Sequence, residues 1–518
     1  MKSNYSVILH NPHLSESNSD IFNITFSSII NSNLVPSSVI ILAHDDQLPK
    51  LENYDINIHF VNQGKTISES FFNAVNYLNT DHFIYINNSR FPVKIKQDCA
   101  ELFLFKMKNN AQIGMCYADY DINDNDRIRS VNLLKHHSGR LRDNQDYGHV
   151  FFLNRQTVQN CQNDRITNID NLIYSMRLNI FESQEISHIS SAKGGSPYTV
   201  YKPISGLDVF DYLVADEFVQ HEAEVILTDH LKRINSYLSP GLSFKDRPTP
   251  AIKPDCKATV IIPVNNRPEF IGTAIDSIQN QSVQDIETII VVNGGSRDKT
   301  IEVIQQYQKN GSRYDPEKPP VNMIISDINN IGYSLNQGIN HAKGEFYIQL
   351  DSDDRLKLTA IEQILNCFAY DKSIGIVIGS YELWDLAEDG TLIQRTDLPS
   401  VTHREWTEQN GRNNLLRVNG AGAPRAIPIQ LIKDIGYFQM NSEPYAINYG
   451  EDYDMVLRIS EKYRVGRIYD PIYDVIRHRG GTDHSIDQRT IDRNDEAKDY
   501  IRLKTILRRK EINLEAKN

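Results

Sequence analysis

Cysteine and tryptophan are scarce, five and two among 518 residues. The cysteines (Cys99, Cys116, Cys161, Cys256, Cys367) are scattered and form no CxxC pair. That removes a zinc knuckle and a disulfide framework, and it fits free thiols in a reducing compartment. Long apolar runs are missing too: no segment approaches the roughly eighteen residues that a membrane-spanning helix needs. The opening "MKSNYSVILHNPHL" lacks the apolar core of a leader. The expectation is a cytoplasmic protein, with peripheral contact at the inner face of a membrane as a further option. Positive charge is in deficit, with a net charge of −12. This excludes a nucleic-acid binder, which needs a basic surface. It does not exclude an anionic nucleotide substrate, because one metal ion reverses the local field. What is present is ordinary globular composition, 40% hydrophobic and 24% charged. The length exceeds what one core fills, so two or more domains are expected.

The clearest folding unit begins near Cys256. "ATVIIPV" (258–264) is a β-branched apolar run closed by the turn cluster "NNRPE". "EFIGTAIDSIQNQS" then has Phe270, Ile271, Ala274, Ile275 and Ile278 at helical spacing. "IETIIVVNGGS", "VNMIISD" and "EFYIQLDSDD" read as further strands, with "DKTIEVIQQYQ" and "GYSLNQGINHAKG" as helices, the latter closed by Gly344. Strand–helix alternation with near-continuous apolar strands predicts a parallel α/β sheet. Ligands of such sheets bind beyond the carboxyl ends of strands, where "NNRPE", "NGGS" and "DSDD" all fall. Past residue 370 the alternation weakens. "EDYDMVLRISEKY" (451–463) is a helix candidate, and a helical tail carries Arg508, Arg509 and Lys510.

The first two hundred residues echo this unit. "NYSVILHNPHL" is similar to "KATVIIPVNNR", and "SSVIILAHDDQ" to "ETIIVVNGGSR". "AVNYLNTDHFIYINNSRF" is similar to "GINHAKGEFYIQLDSDDR", and "NIDNLIYSMRL" to "YGEDYDMVLRI". The order is the same, which reads as a second copy of the fold. Its acids are gone: Asn87 and Ser89 stand for Asp351 and Asp353, and Asn171 for Asp452. Between the copies lie a helical stretch and "SPGLSFKDRPTPAIKP" (239–254), the best linker in the chain.

Four short constellations could carry chemistry. In "IQLDSDDRL" (348–356) an apolar strand ends in Asp351, Asp353 and Asp354. Carboxylates one residue apart at a strand end can share a hard divalent cation; alone they are more often a hydrated turn. In "YGEDYD" (449–454), acids at a helix start complement its dipole, or one becomes a general base beside a cleft. In "VIRHRGGTDHS" (475–485), His478 suits a divalent metal beside carboxylates. In "VVNGGSRD" (291–298) the glycines permit close approach of backbone to a ligand, without a Rossmann or Walker fingerprint.

Taken in order, the "PVNN" strand end, "VVNGGSRDKT", "GEFYIQLDSDD", "GEDYDMVLR" and "RHRGG" resemble the inverting family 2 glycosyltransferases of GT-A fold over about residues 256–485. The resemblance implies an α/β architecture of two GT-A-like, Rossmann-like domains. Residues 1–200 would be a degenerate, inactive copy and 256–485 the catalytic domain, with a helical segment and linker over 201–255 and a helical tail over 486–518. It implies a nucleotide-sugar site of Pro263, Val264, Asn266, Arg267, Asn293, Asp351 and Ser352. Pro263, Asn266 and Asn293 would surround the base, and Asp351 would face the ribose. Asp353 and His478 would hold Mn²⁺ or Mg²⁺ at the diphosphate. Asp452 would deprotonate the acceptor hydroxyl, with Glu451 beside it near the acceptor.

Two departures stand out. Asn293-Gly294 replaces the usual pair of acids in the second turn, and the "NIGYSLNQG" helix is short and lacks its usual Arg. A sugar-phosphate nucleotidylyltransferase would need a glycine-rich first loop, and a haloacid dehalogenase-type phosphatase a DxD after its first strand; neither is found. A non-catalytic carbohydrate- or partner-binding protein is the remaining rival. Trp384, Trp406 and "VNGAGAPR" (418–425) are candidates to shape the acceptor site, although core packing accounts for a tryptophan as well. The implied partners are a nucleotide-sugar donor and a carbohydrate or lipid-linked acceptor. The basic tail is a candidate membrane contact and the first copy a candidate homo-oligomer contact.

Overall fold

The computed structural model describes residues 4–11, 19–43, 56–62, 64–163, 165–191, 195–203, 216–239, 244–404, 407, 410–418, 420, 422–478 and 487–516. Trp406, two positions of "VNGAGAPR", residues 240–243 of the linker and the glycines after His478 lie outside them. The chain divides into two units. One holds Met1–Asp208 with Phe218–Ile234, and the other holds mainly Asn235–Asn518.

In the second unit the apolar runs form strands because neither face meets water. Ile286–Val292 is buried throughout, as is most of Cys256–Val264 and Gly344–Gln349. The sheet runs Val321–Ile325, Ile286–Val292, Cys256–Val264, Gly344–Gln349, Arg425–Pro428, Ile374–Leu386, Arg464–Arg477, Arg355–Leu356. The first four are parallel. Arg425–Pro428 is antiparallel to both neighbours, and Arg464–Arg477 runs parallel to Ile374–Leu386. Helices Ile271–Gln279 and Ile331–His341 turn Ala274, Ile275, Ile278, Leu335 and Ile339 onto the sheet. Gly344 does not close the helix before it. It opens the next strand, where a Cβ would lie 2.5 Å from the backbone of Ala258 and Thr259. The parallel strands end together, so the "NNRPE", "NGGS" and "DSDD" turns share one edge.

The first unit has the order Asn57–Asn62, Ser38–Ala43, Tyr5–His10, His82–Asn87, Val150–Asn154, Ile113–Ala118, Glu185–Ile189. Its strand senses match the second sheet position by position: parallel up to His82–Asn87, antiparallel at Val150–Asn154, and parallel between Ile113–Ala118 and Glu185–Ile189. A small sheet of Val93–Ile95, Tyr198–Tyr201, Tyr120–Asp124 and Arg127–Val131 is added to it.

In each unit a helix after the last core strand completes the fold. Glu217–Arg233, expected to be a connecting segment, belongs to the first unit, where His230 and Arg233 bind Glu182 at 2.7 and 2.8 Å. Gln488–Glu515, expected to be a tail, is built into the second. Two of its three clustered basic residues are engaged within the unit. Arg508 pairs with Glu461 at 2.8 Å, and Arg509 is fully buried, donating to the Arg412 carbonyl at 2.6 Å. Among the described residues no helix is long and apolar enough to cross a membrane.

Candidate functional site

The acidic turn after Gly344–Gln349 divides its three carboxylates among different surroundings. Asp354 is buried and accepts the Ile476 N–H at 2.8 Å, tying the turn to the last long strand. Burial, with Asp353 and Asp351 close by, pushes its carboxyl well above the usual range. Asp351 accepts from Gln349 Nε2 at 3.2 Å, and its N–H donates to the Tyr473 hydroxyl at 3.1 Å. Burial raises Asp351 as well, against the pull of Arg425. Asp353 is half-buried, its side chain 24% exposed, with Oδ2 lying 2.9 Å from His478 Nε2. The His478 ring in turn rests on Phe270, centroids 4.2 Å apart. Sequence-distant Asp353 and His478 therefore meet. Ser352 lies buried between Asp351 and Asp353.

The first two turns meet at the same sheet edge. Pro263 pairs with Val291 and Val264 with Val292. Asn266 takes a positive φ of 48° and its N–H donates to Asp298 Oδ2 at 2.7 Å. Asp298 Oδ1 accepts the Thr300 N–H at 2.8 Å, and the Arg267 N–H reaches Thr300 Oγ1 at 2.9 Å. Asp298 thus knits the two loops, a role that its place in "VVNGGSRD" did not reveal. Asn293 is buried and spends its Nδ2 on Ser334 Oγ at 3.1 Å. Its Oδ1 has no hydrogen-bond partner among the described residues.

Glu451 and Asp452 open the helix Glu451–Ser460 after Gly450, whose φ of 86° suits a residue without Cβ. Asp452 Oδ2 pairs with Arg425 Nη1 at 3.0 Å, and its Oδ1 accepts the Tyr453 N–H at 2.7 Å. Burial opposes ionisation of Asp452, but Arg425 and Lys498 outweigh it and hold the carboxyl below its usual range. For Glu451 burial wins and, with Asp452 adjacent, pushes it up to about 7. Arg425 also acts on Asp351, so the turn and the helix share one guanidinium. Trp384 donates to Asp474 at 3.0 Å, within the paired strands Ile374–Leu386 and Arg464–Arg477.

The equivalent positions of the first unit are closed on themselves. Asn87 Oδ1 accepts Ser89 Oγ at 2.6 Å. Asn171 Nδ2 donates to the Val219 carbonyl at 2.9 Å and to Glu222 at 2.8 Å, both on the helix Glu217–Arg233. Arg90 pairs with Asp170 at 2.9 Å.

Residues 259–413 match the family "Glycosyl transferase family 2". Over 224 residues the chain is 28% identical to the chondroitin synthase of Pasteurella multocida, covering 43% of this chain and 21% of that protein. Over 209 residues it is 31% identical to an uncharacterised glycosyltransferase of Rickettsia typhi, covering 40% and 60%. The matched stretch therefore spans about a fifth of the first relative and less than two thirds of the second. Among solved structures, S. aureus TarS 1-349 in complex with UDP-GlcNAc aligns with a TM-score of 0.32 at 18% identity, over 45% of this chain and 61% of that one.

Proposed function

This chain belongs, through residues 259–413, to glycosyl transferase family 2, and from that premise we propose that it moves a sugar from a nucleoside-diphosphate sugar to an acceptor hydroxyl with inversion. The step would serve assembly of a bacterial-type surface polysaccharide or glycoconjugate, a setting suggested by the similarity to a chondroitin synthase. The observation that carries the reading is the meeting of Asp353 with His478 at the sheet edge where Arg425 links Asp351 to Asp452.

Pro263, Val264, Asn266, Arg267 and Asn293 receive the nucleotide. The partnerless Asn293 Oδ1 is an acceptor for a base N–H, supplying by an amide what an acid supplies elsewhere. Asp351 and Ser352 continue the site toward the ribose and the diphosphate. The metal reading passes a test of donor chemistry. Asp353 offers a carboxylate oxygen and His478 an imidazole nitrogen side by side, a set that a divalent ion such as Mn²⁺ or Mg²⁺ accepts together with water and phosphate oxygens. No group of three His, Cys, Asp or Glu is so placed among the described residues, so the two would act as a partial set beside the substrate. Such an ion, when bound, neutralises charge on the leaving diphosphate. Asp452, held ionised by Arg425, takes the acceptor proton as its oxygen attacks the anomeric carbon from the face opposite the diphosphate; general-base help of this kind contributes about a hundredfold or more. Glu451 lies beside it toward the acceptor. One displacement inverts the centre, and no covalent enzyme intermediate is needed.

The first unit is a degenerate copy on this reading, a scaffold or a carbohydrate- or partner-binding surface. Its counterparts of Asp351, Asp353 and Asp452 are amides and a hydroxyl satisfied internally. Screening UDP-, GDP-, CDP- and TDP-sugars with Mn²⁺ by thermal shift identifies the donor, since a ligand of the folded state raises Tm. Asp452→Asn is then expected to abolish transfer while leaving donor binding nearly intact, and Asp353→Ala to remove Mn²⁺-dependent binding. Transfer at the wild-type rate by Asp452→Asn would overturn the assignment.

A further inference from the structure

The C-terminal helix Gln488–Glu515 buries an unusually polar face: Lys498, Asp499, Arg502, Thr505 and Arg509 are all buried. Most of these groups have structural destinations. Arg502 donates to the Leu416 and Val418 carbonyls at 2.9 Å and pairs with Asp499 at 2.6 Å. Thr505 returns its hydroxyl to the Ile501 carbonyl at 2.9 Å, and Arg509 holds the Arg412 carbonyl. Lys498 is directed at the start of the helix Glu451–Ser460, where Tyr449 bonds it. Its Nζ lies 4.5 Å from the ring centre of Tyr449 and 5.9 Å from that of Tyr453, the residues flanking Gly450, Glu451 and Asp452. The approach is close: a Cβ on Gly450 would lie 3.1 Å from Ile501 Cδ1 and 3.7 Å from Lys498 Cγ.

The charge balance gives this placement a use. Asp351, Glu451 and Asp452 all act on one another across the turn and the helix start, and Arg425 is the guanidinium they share. Buried Tyr347 is a neighbour of all four groups. Burial raises Asp351 and Glu451, whereas Asp452 is held below its usual range; an ionised carboxylate in this place is costly unless cations answer it. We infer that Lys498 is a positioning residue for Asp452, the second cation of a clamp whose first member is Arg425. The helix after the last strand is thereby part of the transfer site. Arg425 pairs with Asp452 from the short antiparallel strand, and Lys498 lies against the residues flanking it, Tyr449 and Tyr453, from the C-terminal helix. The inference rests on Asp452 being the base.

The test uses the full chain, Mn²⁺ and the nucleotide sugar that raises Tm most in the screen, with nucleoside diphosphate release as the readout. Lys498→Met keeps the stem against Tyr449 and removes the charge. It is expected to lower kcat, to leave the donor KM near wild type, and to move the acid limb of the pH profile upward by on the order of one unit. Lys498→Arg is expected to return the limb toward its original place. An acid limb in Lys498→Met that coincides with wild type, whatever happens to Tm, overturns the inference. Asp452→Asn tells the two failures apart: if it keeps full activity the base assignment itself falls, and if it is inactive while the limb stays fixed only the role of Lys498 falls.

Discussion

Adjacent carboxylates on one helical turn end up with opposite tendencies. Asp452 has both oxygens occupied, by Arg425 and by its neighbour's N–H, and stays charged. Glu451 has no such ion pair among the described residues, and burial beside Asp452 lifts it to about 7 from the ordinary 4.5. The folded protein therefore holds a proton on Glu451 that the unfolded chain has released. The stability it contributes is complete below about pH 4.5 and is lost as pH rises through about 7. Glu451→Gln keeps the neutral shape at every pH. Its Tm is expected to match wild type near pH 5 and to exceed it by on the order of 2 °C at pH 8. Parallel curves of Tm against pH would show that Glu451 is not held protonated. Nothing in "GEDYD" distinguishes the two acids. The partition depends on Arg425, 27 positions away in "VNGAGAPR" and visible in the sequence only as a basic residue after a proline.

At the scale of elements, the parallel strands were legible because burial on both faces leaves a continuous apolar run, as in Ile286–Val292. Arg425–Pro428 was not, since four residues ending in proline carry no period. Yet this short strand delivers the guanidinium to the site. The C-terminal helix is legible as a helix, but its packing is not, because a charged face reads as solvated. In the structure that face is inside, its arginines satisfying carbonyls that end the Gly411–Asn414 region. Arg502 and Asp499 are both fully buried. Arg502→Met strands the Asp499 carboxylate and is expected to cost about 3–5 kcal/mol in urea unfolding. Adding Asp499→Leu is expected to recover the part due to the stranded carboxylate and not the part due to the Leu416 and Val418 carbonyls, which stay without Arg502. A single variant as stable as wild type would mean that the pair is dispensable.

Across the whole molecule the same strand order and senses occur twice, while the carboxylates occur once. The sheet pattern survives without the acids because it is held by apolar runs such as "YSVILH" and "HFIYIN", which need no catalytic side chain. The positions that answer to the acids in the first unit carry amides and a hydroxyl bonded within that unit. The second unit also secures its own beginning. Asn513 donates to the Asn235 and Tyr237 carbonyls at 3.0 and 2.9 Å, and Leu238 and Asn413 exchange two hydrogen bonds, at 3.0 and 2.8 Å. Every residue assigned here to donor, metal, base and clamp lies beyond Asn235. A chain of residues 235–518 is therefore expected to fold and to bind the selected nucleotide sugar with Mn²⁺ at a Kd within about threefold of the full protein, as independent sites do. Calorimetric titration of both chains, with circular dichroism to establish folding, measures this. A folded 235–518 chain that no longer binds the donor would put an essential part of the site in the first unit, and the description of that unit as a degenerate copy would have to be abandoned.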